Sequence, residues 1–416
     1  MIRLTIIIAC VLAGWLRLAA ADAADADQRF LAPYVFIASG SGVIVSSDGD
    51  ILTNFHVVAE VCSPLAPQLT VRLPGVGEVA ALLVAADPVG DIALIHLSGA
   101  HPPLTAAALV ERIPPPGTPV VAVGNPFALG DLDDRPSVSR GVLGTGRVVR
   151  GAYADCLQHD APVNPGNSGG PLFDLEGRLL GINGAIRSRS GFRINSGIGL
   201  ALSASHLAEL LPALRAAGAE HGGWLVRSMA PPELVIEQRA EGVAVVSGPA
   251  PVSGPAPVSG PAPVSGPARL LPGDLILAVA ERRSPAVETV LGLFRGAPWT
   301  VGHTLPVRVS RQGRMLTVAV ATSRAPIPGQ PWHGLAVSER HQQLVLDPVE
   351  SLSPLGRAGG LSGDVLLSVN GAVIGNRLDL LRATAALAIG EPVDVVVRNP
   401  LGEERRLHFF VAQSPP

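Results

Sequence analysis

Between residues 30 and 205 the chain is cut into short apolar runs, each closed within a few residues by Gly, Pro or a polar turn residue: "SGVIVSS", "ILTNFHVV", "LTVRL", "DIALIHL", "VVAVG", "RLLGIN" and "GIGLAL". Runs of this length, rich in Val, Ile and Leu, suit strands and are too short for buried helices. Their density leaves no room for alternating helices, so βαβ units are excluded and a β-barrel or sandwich is predicted. "SASHLAELLPALRAAGAE" breaks the pattern, with apolar residues at helical spacing behind a serine cap and Gly218 near its end. It predicts the helix that closes this domain.

Length then matters, because 416 residues allow two or three domains and the strand-rich region uses fewer than half of them. Beyond residue 220 two segments repeat each other: "ARLLPGDLILAVAERR" and "GGLSGDVLLSVNGAVI" align through Gly273-Asp274 and Gly363-Asp364, ninety residues apart. Each follows a β-type run and precedes a helical stretch and two more strands, a domain-sized duplication rather than a solenoid period. The first copy carries an insert over 246–267, in which the hexapeptide VSGPAP recurs. Proline at this density favours extended chain that cannot complete a sheet ladder, so a surface loop is predicted.

The N-terminus has Arg3, an apolar stretch from Leu4 to Leu16 and small residues from Ala19 to Ala23. It reads as a signal peptide over 1–21, cleaved near Ala21 to Ala23, which implies a periplasmic or secreted protein. The apolar stretch is shorter than the ~20 residues that span a bilayer, so no stable membrane anchor is expected. Export leaves Cys62 and Cys156 where they are permitted to pair, but spacing alone does not bring them together. A net charge of -3, with every one of the 31 basic residues an arginine, gives no basic surface for nucleic acid.

The stretch "NPGNSGGP", residues 164 to 171, sets one hydroxyl, Ser168, among Gly166, Gly169 and Gly170. A serine nucleophile needs an oriented base and two fixed donors for the oxyanion. The N–H groups of Gly166 and Ser168 can share one nest, while the paired glycines let the chain turn away. The base is best sought at His56, which follows a strand in "ILTNFHVV", and the orienting acid at Asp91 in "ADPVGDIALIHL". Asp87, before a proline, reads as a turn residue and is the weaker acid. "GNSGG" also matches the G-x-S-x-G elbow of α/β-hydrolases, but that fold places acid and histidine after the serine, and here both precede it.

These motifs, with "GSGVIVSSDGDILTNFHVV", "GNPFALG", "DAPVNPGNSGGPLFDLEGRLLGIN" and "SGIGLAL", resemble the HtrA (Deg) family of serine proteases. The resemblance implies a mainly β protein. A chymotrypsin-like double six-stranded β-barrel, residues 22–219, would be followed by two α+β PDZ-like domains, 222–324 and 327–416. It implies that His56 is the general base, Asp91 its orienting acid and Ser168 the nucleophile, with Gly166 and Ser168 as oxyanion donors. Ile182, Asn183 and Gly184 would form the strand that pairs with substrate, Val163 and Ile198 would line the specificity pocket, and Asn167 would also contact substrate. Aliphatic pocket walls favour cleavage after small or medium apolar residues. Asp160 reads as structural.

The implied function is endoproteolysis of unfolded exported polypeptides without a cofactor. The PDZ-like domains would hold C-termini in nests at Gly222–Val226 and His333–Val337, the first with Val226 where the family often has glycine. The alternative is a binding or chaperone-like module with an inactive protease domain. The family's trimers imply a homotrimer through N-terminal aromatics, for which Phe30, Tyr34 and Phe36 are candidates, a core role being the other reading. "GDLDDRPSVSRG" is longer than the family's connection there, in a region that controls activation. Its Asp131, Asp133 and Asp134 lack the glycine and glutamate of a calcium loop, so a solvated acidic loop is expected.

Overall fold

The computed structural model describes residues 28–413, except 39, 60, 65, 151–152, 187–196, 249–268, 285, 297–302, 328–330, 341–342 and 352. The expected signal segment and most of the VSGPAP insert therefore lie outside the described residues.

The strand-rich region forms two closed six-stranded antiparallel barrels. The first comprises β1 (Tyr34–Ile37), β2 (Gly40–Ile44), β3 (Asp50–Thr53), β4 (Gln68–Leu73), β5 (Gly77–Asp87) and β6 (Ile92–Leu97), closed in the order β1-β2-β3-β6-β5-β4. The second comprises β7 (Pro119–Gly124), β8 (Ser137–Arg150), β9 (Tyr153–His159), β10 (Pro171–Phe173), β11 (Leu179–Ile186) and β12 (Gly199–Ser203), closed as β10-β11-β12-β9-β8-β7. In β5 the residues Val79, Ala81 and Leu83 alternate inward, as a half-exposed strand requires, whereas β2 and β12 are buried along their whole length. Closure gives every strand two neighbours, although β10 pairs with β11 only as far as Ile182. One apolar cluster crosses from barrel to barrel through Phe36, Leu94, Val121 and Phe173.

Phe30, Tyr34 and Phe36, candidates for contacts between subunits, belong to this core and are at most 3% exposed. Their rings are spent inside the chain. Among the described residues Cys62 and Cys156 are free and buried, one in each of two separate core clusters. Burial pushes the Cys62 thiol up to about 11 and raises that of Cys156 as well, so both are unreactive thiols.

The closing helix α1 (Ala204–His221) is capped by Ser203, whose hydroxyl accepts from His206 N, and packs Leu207, Leu210 and Leu214 into the core. It runs through Gly218 and stops at Gly222, one turn later than the sequence suggests. Gly222 takes the left-handed conformation (φ 60°) and its N–H closes on Ala217 O.

The two repeats are built alike. Strands Val235–Arg239, Gly242–Ser247, Leu275–Val279, Thr304–Arg311 and Arg314–Ala321 form the first sheet, with α2 (Val287–Arg295). Strands Val337–Arg340, Gln343–Leu346, Val365–Val369, Pro392–Arg398 and Glu404–Phe410 form the second in the same order, with α3 (Arg377–Thr384). The shared Gly-Asp is structural in both. Asp274 and Asp364, each 1% exposed, accept from the N–H three residues earlier (Leu271, 2.9 Å; Leu361, 3.1 Å) and pair with Arg311 and Arg405.

The two expected nests differ. In Gly222–Val226, Leu225 N donates to Ala86 O and Ala86 N to Gly223 O, both at 2.8 Å, while Gly222, Gly223 and Trp224 N–H groups turn back onto α1. This segment is a strap on β5, and four of its five N–H groups are already committed. In His333–Val337, Leu335 N donates to His333 Nδ1 and Ala336 N to Gly334 O, both at 3.0 Å, so donors are committed here too, but Gly334 has φ 78° and a cavity of about 200 Å³ opens beside it between Trp332, Leu335, Pro348 and Glu350.

Candidate active site

His56 sits on the helical turn Phe55–Val58 after β3. Val57 and Val58 are buried and anchor that turn, leaving the imidazole side chain 43% exposed. Asp91 stands just before β6 with φ 56°, a left-handed conformation that aspartate tolerates better than most residues. Its carboxylate meets His56 Nδ1 at 2.8 Å through Oδ2 and 3.0 Å through Oδ1, and Oδ1 also accepts His56 N–H at 3.0 Å. An ionised carboxylate can only accept, so Nδ1 carries the proton and Nε2 is left with its lone pair.

Asp87, the weaker candidate acid, is committed elsewhere. It is 0% exposed, takes Val89 N–H (3.1 Å) and Gly90 N–H (2.8 Å) on Oδ1, and pairs with the buried Arg227 through Oδ2. That pair shapes the turn leading into Asp91.

The nucleophile loop reaches the same place. Asn54, fully buried, donates through Nδ2 to Asp91 O at 2.9 Å and accepts Gly169 N–H on Oδ1 at 2.7 Å. One amide thus ties the acid's backbone to the residue after Ser168. A Cβ on Gly40 would lie 2.8 Å from Val57 and 3.0 Å from Ser168 O, so the histidine turn and the serine loop close on one glycine. Sequence reasoning missed Asn54. The available signal was a side chain able both to donate and to accept, two residues before the candidate base.

Gly166 needs to be glycine on two counts: its φ is 102°, and a Cβ there would lie 1.9 Å from Asn125 O. Pro165 O accepts from Phe127 N at 2.8 Å, and Gly166 O accepts from Ser41 Oγ at 2.8 Å and Asn125 N at 3.2 Å. In a trans peptide the N–H points opposite the C=O, so anchoring Pro165 O on Phe127 turns Gly166 N–H away from that wall. Among the described residues the N–H groups of Gly166 and Ser168 have no acceptor, and Ser168 Oγ and His56 Nε2 make no hydrogen bond.

The remaining expected contact residues divide. Ile182 is 0% exposed and pairs with both Pro171 and Leu202. Asn183 N donates to Gly170 O (2.9 Å) and Asn183 O accepts from Gly169 N (2.8 Å). Neither backbone is open to a substrate strand, so the available side of β11 begins at Gly184. Asn167 is 4% exposed and turned onto Gly124, where a Cβ would lie 2.5 Å from its Nδ2. It packs inside the loop against Gly124. Val163 packs in the second-barrel core, Ile198 is 40% exposed, and Asp160 holds Val142 N–H at 2.6 Å. The acidic loop is not simply solvated: Asp131 and Asp134 both bind Arg72 of β4.

Residues 40–182 match the family model of the trypsin-like peptidase domain. A probable periplasmic serine endoprotease DegP-like of Brucella suis biovar 1 (strain 1330) is 31% identical over 368 residues, covering 84% of this chain and 69% of that protein. The chain belongs to the HtrA/Deg family. Another relative of the same description, from Pseudomonas putida (strain GB-1), is 37% identical over 188 residues, and that match spans only 37% of its length. The solved HtrA-type protease AlgW with tripeptide superposes with a TM-score of 0.53 at 28% identity, covering 73% of this chain and 98% of that one. The matched region lies within the barrel pair, and it contains His56, Asp91 and Ser168.

Proposed function

We propose that this chain is an exported serine endopeptidase working by an acyl-enzyme mechanism. The observation that carries the reading is the Asp91 carboxylate on His56 Nδ1 at 2.8 Å, tied through Asn54 to the loop bearing Ser168. With Nδ1–H engaged, Nε2 is the base. It takes the Ser168 proton as Oγ bonds to the substrate carbonyl carbon, and the resulting imidazolium is stabilised by Asp91. The carbonyl oxygen becomes an oxyanion facing the N–H groups of Gly166 and Ser168. The imidazolium then gives its proton to the leaving amine as the peptide bond breaks, and water hydrolyses the ester by the same route.

Substrate would add as a strand along β11 from Gly184 onward, which requires an extended, unfolded polypeptide. Ile198 and Val163, both aliphatic, would favour small or medium apolar residues at the scissile position. The two C-terminal repeats would be PDZ-like domains, residues 222–324 and 327–416, and the cavity at Gly334 makes the second the better candidate for binding C-termini. The expected signal segment and the names of the relatives support periplasmic residence.

The test is fluorophosphonate labelling and casein digestion by the mature chain beside Ser168→Ala. Labelling at Ser168, with turnover lost by roughly 10⁴- to 10⁶-fold in the variant, is the expected result. Equal inertness of the two proteins would leave the binding-module reading in its place.

A further inference from the structure

The oxyanion loop rests on a segment that holds an unfavourable shape. Phe127 (φ 54°, ψ 29°) and Ala128 (φ 57°, ψ 24°) are consecutive non-glycine residues in the left-handed region, inside the 3₁₀ turn Pro126–Asp131. Such residues persist only where their surroundings over-determine them. Yet it is Phe127 N–H that holds Pro165 O and so aims Gly166 N–H.

What over-determines them leads out of the second barrel. Asn125 Oδ1 accepts Gly130 N–H at 2.8 Å and Asn125 O accepts Ala128 N–H at 3.1 Å, closing the turn from below. Asn125 Nδ2 donates to Asp131 Oδ1 at 3.0 Å. The same oxygen takes Arg72 Nη2 at 2.6 Å, and Arg72 Nη1 binds Asp134, which also holds Gly75 N–H at 2.6 Å. Arg72 lies over Phe36, with Cζ 3.8 Å from the ring centroid, and Phe36 Cε1 would be 2.8 Å from a Cβ on Gly130. Phe36 packs edge-on against Tyr34. Ser41 gives its only proton to Gly166 O, so the Tyr34 hydroxyl donates to Ser41 at 2.9 Å; burial raises the phenol's pKa and keeps that proton in place.

We propose that Arg72, on β4 of the first barrel, is a positioning residue for the oxyanion donor. Its fork closes the Asp131–Asn125 end of the strained turn while its face supports the Phe36–Tyr34–Ser41 route to Gly166. Without it the turn relaxes, Phe127 N–H leaves Pro165 O, and the Pro165–Gly166 peptide is free to rotate. The inference rests on the hydrolase reading for its catalytic consequence, but the ordering of the two loops does not.

The test compares Arg72→Met, Arg72→Lys and Asp131→Asn with the wild-type mature chain, and uses Arg308→Met, an exposed pair with Glu281 in the first repeat, as control. One oxyanion donor is worth about 10²–10³ in kcat. Partial loss of its anchor should lower kcat by about 10- to 100-fold in Arg72→Met, with KM within about twofold. Arg72→Lys should recover part of the loss, since an ammonium keeps the charge without the fork. Amide exchange over 123–136 and 161–170 should rise in Arg72→Met and Asp131→Asn but not in the control. Unchanged exchange in both segments overturns the proposal whether or not the protein is an active hydrolase. An active wild type with kcat unaltered in Arg72→Met overturns it as well. If the wild type is not labelled by a fluorophosphonate, the hydrolase reading fails and exchange alone decides the clamp. Should Arg72→Met not fold, Asp131→Asn carries both readouts.

Discussion

Asp87 and Arg227 stand behind Asp91 with side chains 0% and 2% exposed, while Arg72 meets Asp131 and Asp134 with side chains 24%, 50% and 40% exposed. The first pair shapes the turn that presents the acid; a Cβ on Gly90 would lie 2.3 Å from both Asp87 Oδ2 and Arg227 Nη2. The second holds the turn that, as proposed, aims the Gly166 N–H. One half of the candidate site is therefore set in a dry interior and the other is clipped together at the surface. Charges out of water are strongly coupled and poorly screened, so the acid side should be fixed once the chain folds. Half-exposed charges are screened and weakly coupled, so the oxyanion side should answer to solution conditions and to surface substitutions.

Asp91→Asn tests the acid side with the largest effect. The amide cannot hold Nδ1–H as acceptor on both oxygens, and the wrong tautomer at His56 should lower kcat by about 10⁴-fold with fold and KM preserved. Steady-state kinetics on a casein-derived peptide measure it. A loss under tenfold would mean that Asp91 does not orient the base.

Arg227→Met comes next and reads as stability. It leaves the Asp87 carboxylate buried without its partner and also removes the 2.7 Å bond from Nη1 to Gly296 O in the first repeat. Breaking one side of a buried pair costs about 3–5 kcal/mol. Urea denaturation should register that loss, and Asp87→Leu with Arg227→Met should recover much of it. If Arg227→Met unfolds no more easily than Arg72→Met, the contrast between a sealed and an open pair is wrong.

How much of this was readable in the sequence follows from the range of each interaction. The barrels were legible because strand length and punctuation are local, and the duplication because it is a repeat. His56, Asp91 and Ser168 stood out because each sits in a motif with its own turn chemistry. Asn54, Arg227 and Arg72 did not, since each acts on a residue 35 or more positions away and nothing local distinguishes it. Asp87 looked like a turn residue, and so it is, but its other oxygen serves a partner 140 residues on. Ile182 and Asn183 were assigned to an open edge because sequence shows that β11 exists, not where its pairing with β10 stops.

Acid offers a third contrast. His159, on β9 of the second barrel, is 1% exposed, with no hydrogen-bond partner for either ring nitrogen among the described residues and the Gly199 backbone against its ring. Burial pushes its pKa down to about 4, against the partly opposing influence of Asn183 and the Asp160 charge. The folded value lies below the unfolded one of about 6.5, so the unfolded chain takes up the proton first. This group leaves stability intact above pH ~6.5, removes it progressively as pH falls towards about 4, and removes no more below that; the full effect is about 3 kcal/mol. Denaturation at pH 7 and pH 4 should show a smaller difference in His159→Gln than in the wild type. An equal difference would mean that the ring is hydrated or partnered in solution.

Salt should give the smallest effect and the most direct comparison of the two pairs. The Debye length is about 10 Å at 0.1 M and shortens to about 3 Å at 1 M, which weakens the half-exposed Arg72 contacts and barely touches Arg227. Raising NaCl from about 0.05 to about 0.5 M should lower wild-type kcat by about two- to fivefold, an amount in keeping with the worth of exposed ion pairs. The same titration on Arg72→Met should be nearly flat, because the screened interaction is already gone, and the stability gap between wild type and Arg227→Met should not move. Parallel salt curves for wild type and Arg72→Met would place the sensitivity in substrate binding or elsewhere in the chain, and the oxyanion wall would then be held by its internal bonds from Asn125 and Ser41 alone.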